Sequence, residues 1–268
     1  MTDIKNEEPS SDPCPTSDPT LGPTPDLASG LPPFPGLVLR PLKEEDVDPL
    51  ARIVQKTWFK ADLPSDPEKG DPAGRGDQAW EESRAQRRLQ AAKFDFLFYL
   101  LKSTHGLVAQ VAGRPVGVIL ADVFVLDPHA HPALAGQDRL YRDHVAFLRS
   151  WVPDGGRYAD SIMKDDRDTR RLYDQHRSHT EAEVVLFIVD ESVRGQGVGK
   201  SLWLAMLDLL DQAGVKRYFL YTDTDCNYMF YEYRGMLRIE ERIGVAGPLG
   251  EPLDKFTYLG SPSEDLSD

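Results

Sequence analysis

At 268 residues, with 40% hydrophobic content and charges of both signs, the chain is long enough to bury a core and has the make-up of a soluble globular protein. A formal net charge of −13 argues against nonspecific attraction to nucleic acid and suits cationic partners such as amines. No apolar run approaches a membrane span, the N-terminus lacks a signal-peptide pattern, and Cys14 and Cys226 make neither a disulfide framework nor a zinc site, so a cytoplasmic protein with free thiols is expected.

Residues 1–36 hold nine of the 21 prolines, with Ser, Thr, Asp and Gly between them. Such a segment buries too little surface to offset its ordering entropy, and a disordered tail is expected. The folded domain is expected over 37–260, with a flexible C-terminus at 261–268. It opens with a strand at 37–40 and a helix whose first turn carries Glu44, Glu45 and Asp46, favourable to its dipole. Val47, Leu50, Ala51, Val54 and Trp58 form its apolar face. The Pro-, Gly- and Asp-rich stretch 61–77 reads as a loop, and Phe94, Leu97, Phe98 and Leu101 give a second helix its buried stripe. Strands at 107–111 and 116–125, joined at Gly113 and Arg114, predict an antiparallel hairpin.

The segment 129–180 is longer than a simple connection requires. Leu140, His144, Leu148 and Trp151 predict one amphipathic helix in it, and 169–176 a shorter one. His129 and His131, and His176 and His179, lie close in sequence, but no cysteine or second cluster completes a metal site, and none is expected. Asp160, Asp165, Asp166 and Asp168 read as a solvated acidic face.

The apolar run 184–189, headed by Glu183, predicts a fully buried strand. It breaks into Arg194, Gly195, Gln196, Gly197, Val198, Gly199, Lys200 and Ser201, then opens into a helix with Leu202, Met206, Leu209 and Ala213 on one face and Gly214 at its end. With no Cβ at Gly195, Gly197 or Gly199, the backbone can approach an anion while the unpaired N–H groups of the helix's first turn point at it. A phosphate-bearing ligand is therefore predicted. A Walker A loop would need glycine where Arg194 stands, and a dinucleotide fingerprint would need Gly-x-Gly-x-x-Gly where this chain has Gly-x-Gly-x-Gly. The pattern Arg-x-x-Gly-x-Gly fits at every position. An aromatic strand at 217–222, a short helix within 225–236 stopped by Gly235, and a strand at 237–243 follow.

In motif and order, the run from Glu183 to about Ile243 resembles the GNAT superfamily of acyl-CoA-dependent N-acyltransferases. The resemblance implies an α/β (α+β) fold: a mixed, mostly antiparallel sheet with a splayed parallel central strand pair, flanked by helices. It implies acetyl-CoA (coenzyme A) as co-substrate and no metal. The pantetheine arm would lie along Phe187, Ile188 and Val189. The pyrophosphate would rest on the backbone of Arg194, Gly195, Gln196, Gly197, Val198, Gly199 and Lys200, with Ser201 beside them. Asn227 would bind pantetheine or cap the short helix. Tyr231, the Tyr of Phe-Tyr-Glu-x-x-Gly, falls where a general acid would protonate the departing sulfur, with Tyr228 one turn earlier as the alternative. Glu183 falls where several members place a general base, and Glu181 is a second carboxylate two residues away.

The implied activity is transfer of an acetyl group to a primary amine of a small-molecule or peptide acceptor by direct attack in a ternary complex. The insertion 129–180 would pack at the acceptor site. The acceptor, a longer acyl group and a homodimer all stay open. Neither nucleic acid nor a membrane is an expected partner. The rival reading is a non-catalytic acyl-CoA-binding or protein-interaction module on the same fold.

Overall fold

The computed structural model describes residues 34–59, 77–127, 129–151, 160, 163–164, 176–246 and 252–266. The strands are β1 (Leu37–Pro41), β2 (His105–Val111), β3 (Arg114–Val123), β4 (Ala182–Val189), β5 (Tyr218–Asp223), β6 (Leu237–Ala246) and β7 (Pro252–Gly260). The helices are α1 (Val47–Trp58), α2 (Asp77–Leu101), α3 (Gln137–Trp151), α4 (Val198–Gln212), α5 (Met229–Tyr233) and α6 (Pro262–Asp265). The strands form one seven-stranded sheet in the order β1-β2-β3-β4-β5-β7-β6. Every neighbouring pair is antiparallel except β4 and β5, giving the mixed, mostly antiparallel sheet expected from the sequence.

Both faces of the sheet are covered, which is why its central strands are mostly apolar. Ile119, Ala121 and Val123 of β3 pack with α4, through Leu202, Met206 and Leu210. Val118 and Leu120, alternating with them, face α1 and α2 through Leu50, Val54 and Leu97. The hairpin of β2 and β3 turns at Ala112 and Gly113, both at positive φ (48° and 78°), the twist a two-residue hairpin favours. The turn thus falls one residue earlier than the sequence suggests.

Asp46 departs from its expected part as one of three dipole-facing acids. Residues 44–46 form a 3-10 turn before α1, and Asp46 is buried at 1% exposure. Its carboxylate takes two hydrogen bonds from the Arg40 guanidinium, each 2.7 Å, and one from the Lys43 N–H at 2.9 Å. It therefore ties β1 to the start of α1. Asp46→Ala would leave Arg40, only 16% exposed, without its counter-charge, and should destabilise the fold by about 3 kcal/mol in denaturant unfolding. A loss below about 0.5 kcal/mol would show the pair to be ornamental.

β7 goes unrecognised in the sequence. It inserts between β5 and β6, burying Leu253, Phe256 and Tyr258. The helix α6 lies in a stretch for which only a flexible terminus is expected from the sequence. Its Asp265 accepts a hydrogen bond from the Tyr218 hydroxyl at 2.6 Å. In the insertion, α3 forms where the periodicity places it, with Leu148 packing on Phe94 and Phe98 of α2. The tail up to residue 33, the loop stretch 61–76, Asp165, Asp166, Asp168 and the helical pattern at 169–175 lie outside the described residues.

Candidate active site

The site begins where the sheet stops being a sheet. β4 and β5 pair in parallel only at Ala182 with Tyr218, Glu183 with Phe219 and Val184 with Leu220. Both strands continue, β4 to Val189 and β5 to Asp223, without pairing further. At this point β4 carries a bulge. Leu120 of β3 stands opposite Leu186 and Ala121 opposite Val184, so Val185 is the extra residue. A one-residue slip sends later side chains to the opposite face. Ala182 and Val184 point to the α4 core, whereas Leu186 and Ile188 point to the α1/α2 core.

The bulge also settles which backbone groups face the gap. Asp190 N–H donates to Val116 of β3 at 2.8 Å, so by alternation Ile188 bonds toward β3, opposite Val118. Phe187 and Val189 then turn their N–H and C=O groups to the gap beside β5. Of the three strand residues expected along a pantetheine arm, these two have backbone groups turned to the gap, and Ile188 serves the core.

Beyond β4 the chain forms a 3-10 turn at Glu191–Val193, held by Asp190, whose carboxylate accepts from Ser192 N–H at 3.0 Å. It then passes through Gly195 (φ 74°) and Gly197 (φ 82°), the residue before α4. Those left-handed conformations turn successive N–H groups into one concavity. The N–H groups from Gly195 to Lys200 find no acceptor among the described residues, whereas Ser201 N–H already bonds Gly197 C=O at 2.9 Å. Val198 is fully buried, so only its backbone can serve a ligand, while Lys200 and Ser201 stay half-buried. Arg194 is exposed, and its Nε returns to the Val189 carbonyl at 3.2 Å. A polyanion fits this cradle, with Gly199 leaving room beside Phe187 and Val189.

The helix α5 fills the α4 side of the gap with aromatic rings. Phe230 lies 5.2 Å from Phe187 and 5.5 Å from Trp203, and Tyr231 lies 5.6 Å from Trp203 and 5.4 Å from Tyr258. Gly235 ends the helix at φ 69°, letting Met236 N–H return to the Tyr231 carbonyl at 3.2 Å. That turn is the physical reason for the Tyr231 to Gly235 spacing. Glu232 pins α5 to β6 and β7 by accepting from Arg238 and Tyr258. Tyr231 is 8% exposed, and among the described residues none hydrogen-bonds its hydroxyl. Burial pushes this phenol well above its usual value near 10. Tyr228 instead packs its ring on Phe256 at 4.9 Å. Asn227 is exposed, and its carbonyl accepts from Phe230 N–H at 3.1 Å, at the start of α5.

Cys226 is half-buried as a residue, but its thiol lies inward near Asp223, and burial first, then that carboxylate, pushes it up to about 12. Only the thiolate alkylates, so at pH 8 Cys226 in the native protein should react about a thousandfold more slowly than an ordinary cysteine. Iodoacetamide labelling followed by peptide mass spectrometry reads this directly. Labelling at the unfolded rate would refute it.

The two candidate bases separate. The Glu181 carboxylate accepts from the backbone N–H of Lys216 at 3.2 Å and of Arg217 at 2.7 Å, tying the start of β4 to that of β5. Glu183 is half-buried beside the bulge, opposite Asp122 and Phe219. Its side chain lies on the face away from α4, since its strand neighbours Ala182 and Val184 belong to the α4 core. Two of the histidines meet carboxylates: His129 Nδ1 lies 2.8 Å from Asp138, and His176 Nε2 3.0 Å from Glu240. Among the described residues no group of three or more His, Cys, Asp or Glu could hold a metal ion, and no helix is long and apolar enough to cross a membrane.

Comparison with known proteins gives the same frame. Residues 73–236 match the model of the "Acetyltransferase (GNAT) family". No curated protein is similar enough to match. Among solved structures, a polyamine N-acetyltransferase of Drosophila melanogaster is 14% identical, covering 84% of this chain and 99% of its own, with a TM-score of 0.44. An N-acetyltransferase of Staphylococcus aureus is 13% identical, covering 84% and 98%, with a TM-score of 0.43. At such identities and scores neither says anything about substrate.

Proposed function

This chain belongs to the acetyltransferase (GNAT) family, and from that premise we propose that it transfers an acetyl group from acetyl-CoA to a primary amine by direct attack in a ternary complex. The observation that carries this reading is the opening between β4 and β5: a bulge at Val185, strand edges beyond it that do not pair with each other, and a cradle of N–H groups at its end that find no acceptor among the described residues. Acetyl-CoA supplies the activated acyl group as a thioester. Its pyrophosphate fits the turn from Gly195 to Lys200, and Phe187 and Val189 offer backbone partners to an amide-bearing arm. A ligand so extended leads its thioester to the bulge, between Glu183 and α5.

Two proton transfers accompany attack of the amine. Glu183, at the bulge, directly or through water, takes the proton the amine sheds, while the Glu181 carboxylate ties the start of β4 to that of β5 through two backbone N–H groups. Tyr231 gives its proton to the sulfur that leaves. The phenol is protonated at neutral pH and burial raises it further, while the same dry surroundings make an emerging thiolate more basic, so donor and acceptor rise together.

Calorimetric titration tests the reading. The protein should bind acetyl-CoA with micromolar affinity and should not bind ATP with magnesium. No binding of acetyl-CoA would overturn the acetyltransferase reading, and binding of magnesium ATP would return the loop to the nucleotide class.

A further inference from the structure

Beside the candidate base lies a row of side chains on one face of the sheet. Asp122 stands opposite Glu183, and Glu183 opposite Phe219. Their strand neighbours Ala121, Val184 and Leu220 all belong to the α4 core, so Asp122, Glu183 and Phe219 point the other way. Tyr221, 5.4 Å from Phe219, continues the row and stands opposite Thr257 of β7. Thr257 is 1% exposed, and its Oγ1 has no hydrogen-bond partner among the described residues. The row is acidic at one end and aromatic in the middle.

A cation already occupies the acidic end. Arg177, just before β4, places Nη2 3.6 Å from Asp122 Oδ2 and Cζ 3.9 Å from the centre of the Phe124 ring. Phe124 in turn lies 5.9 Å from Phe219. The Asp122 side chain is 10% exposed, whereas Arg177 keeps 34%, so the carboxylate belongs to the floor and the guanidinium enters from the solvent side. A carboxylate at one edge and an aromatic ring beneath are the two contacts that hold a cationic ligand.

We propose that Asp122 and Phe124 form a cation subsite of the acceptor pocket, that Arg177 fills it in the free protein, and that the acceptor is an amine bearing a second, permanent positive charge that displaces Arg177. The reacting nitrogen attacks only when neutral, so in its reactive form it brings no charge to pair with a carboxylate. A second charge does. Arg177 sets specificity, because a neutral-tailed amine that displaced it would break the Arg177–Asp122 ion pair and return no charge to that carboxylate. The identity of the reacting amine rests on the acetyl-transfer reading, whereas cation binding itself does not.

The test therefore uses full-length protein without acetyl-CoA. Methylguanidinium, with neutral N-methylurea as the control, is titrated calorimetrically into wild type, Arg177→Ala, Arg177→Gln, and Arg177→Ala combined with Asp122→Asn. Both single variants should bind methylguanidinium at least about tenfold more tightly than wild type, and the double variant should lose that gain. N-methylurea should bind none of them. A purely structural latch at Arg177 would give no such charge- and Asp122-dependent gain. Equal binding by wild type and the single variants, or a gain that survives Asp122→Asn, overturns the proposal. NMR of the Arg177 Nε–H in wild type gives a second readout independent of variant stability. Excess methylguanidinium should move that signal to its solvent-exposed position, and an unmoved signal would equally overturn the proposal. Loss of acetyl-CoA binding in the separate titration would sink the transfer reading without touching this result.

Discussion

Replacing Tyr231 with phenylalanine is expected to lower kcat by about two to three orders of magnitude while leaving the KM for acetyl-CoA unchanged. The substitution removes one oxygen and keeps the ring, so the contacts with Trp203, Phe230 and Tyr258 persist. No described residue hydrogen-bonds the hydroxyl, so the fold should lose almost nothing, and the melting temperature should stay within a degree or two of wild type. Activity and stability therefore separate, which a core tyrosine would not allow. The wild-type pH profile carries the same signature. An acid acts in its protonated form, and burial lifts the proton-loss point above the usual phenol value, so the rate should hold as pH rises through about 10 rather than fall there. Steady-state kinetics decide the matter: a Tyr231→Phe enzyme within threefold of wild type would remove Tyr231 from the chemistry.

At Gly197 a valine should weaken acetyl-CoA binding by more than about a hundredfold, because the strain of a β-branched residue at φ 82° re-forms the loop and scatters its N–H groups. The position itself is open, with nothing within 4 Å of an added Cβ, so conformation and not crowding is what fails. Gly199 gives the contrast. It sits in the first turn of α4, where an added Cβ would meet Phe187 at 3.5 Å and Val189 at 3.6 Å, which is ordinary contact. Gly199→Ala should fold normally and weaken binding only about tenfold, by narrowing the groove beside β4. Isothermal titration of both variants with acetyl-CoA separates the two causes. Undiminished binding by Gly197→Val would mean that the loop does not hold the pyrophosphate.

Much of this was legible in the order of residues. The apolar run of β4, the glycines after it and the Tyr231 to Gly235 spacing are local patterns whose physics is local: backbone freedom, helix ends and alternation. The hairpin of β2 and β3 and the face of α1 were legible for the same reason. β7 was not, because Asp254 and Lys255 separate Leu253 from Phe256 and Tyr258 and put it out of phase with them, and its partners β5 and β6 lie earlier in the chain. Asp122 had a signal in the sequence, a charge set in the apolar run of β3 that follows Arg114. Arg177 had none, since its meaning lies wholly in the ring and carboxylate it meets.

By itself, then, the sequence determined the family and the strand, glycine turn and helix from which the loop and the candidate acid are proposed, because each depends on residues within a few positions of one another. Only the tertiary structure decided that Glu181 is bound to backbone while Glu183 lies on the sheet face away from α4, that Val185 is the bulge, and that Phe187 and Val189 rather than Ile188 open to the gap. Those outcomes depend on register between strands far apart in the chain. A shift of one residue there exchanges core for site, and no local pattern records it.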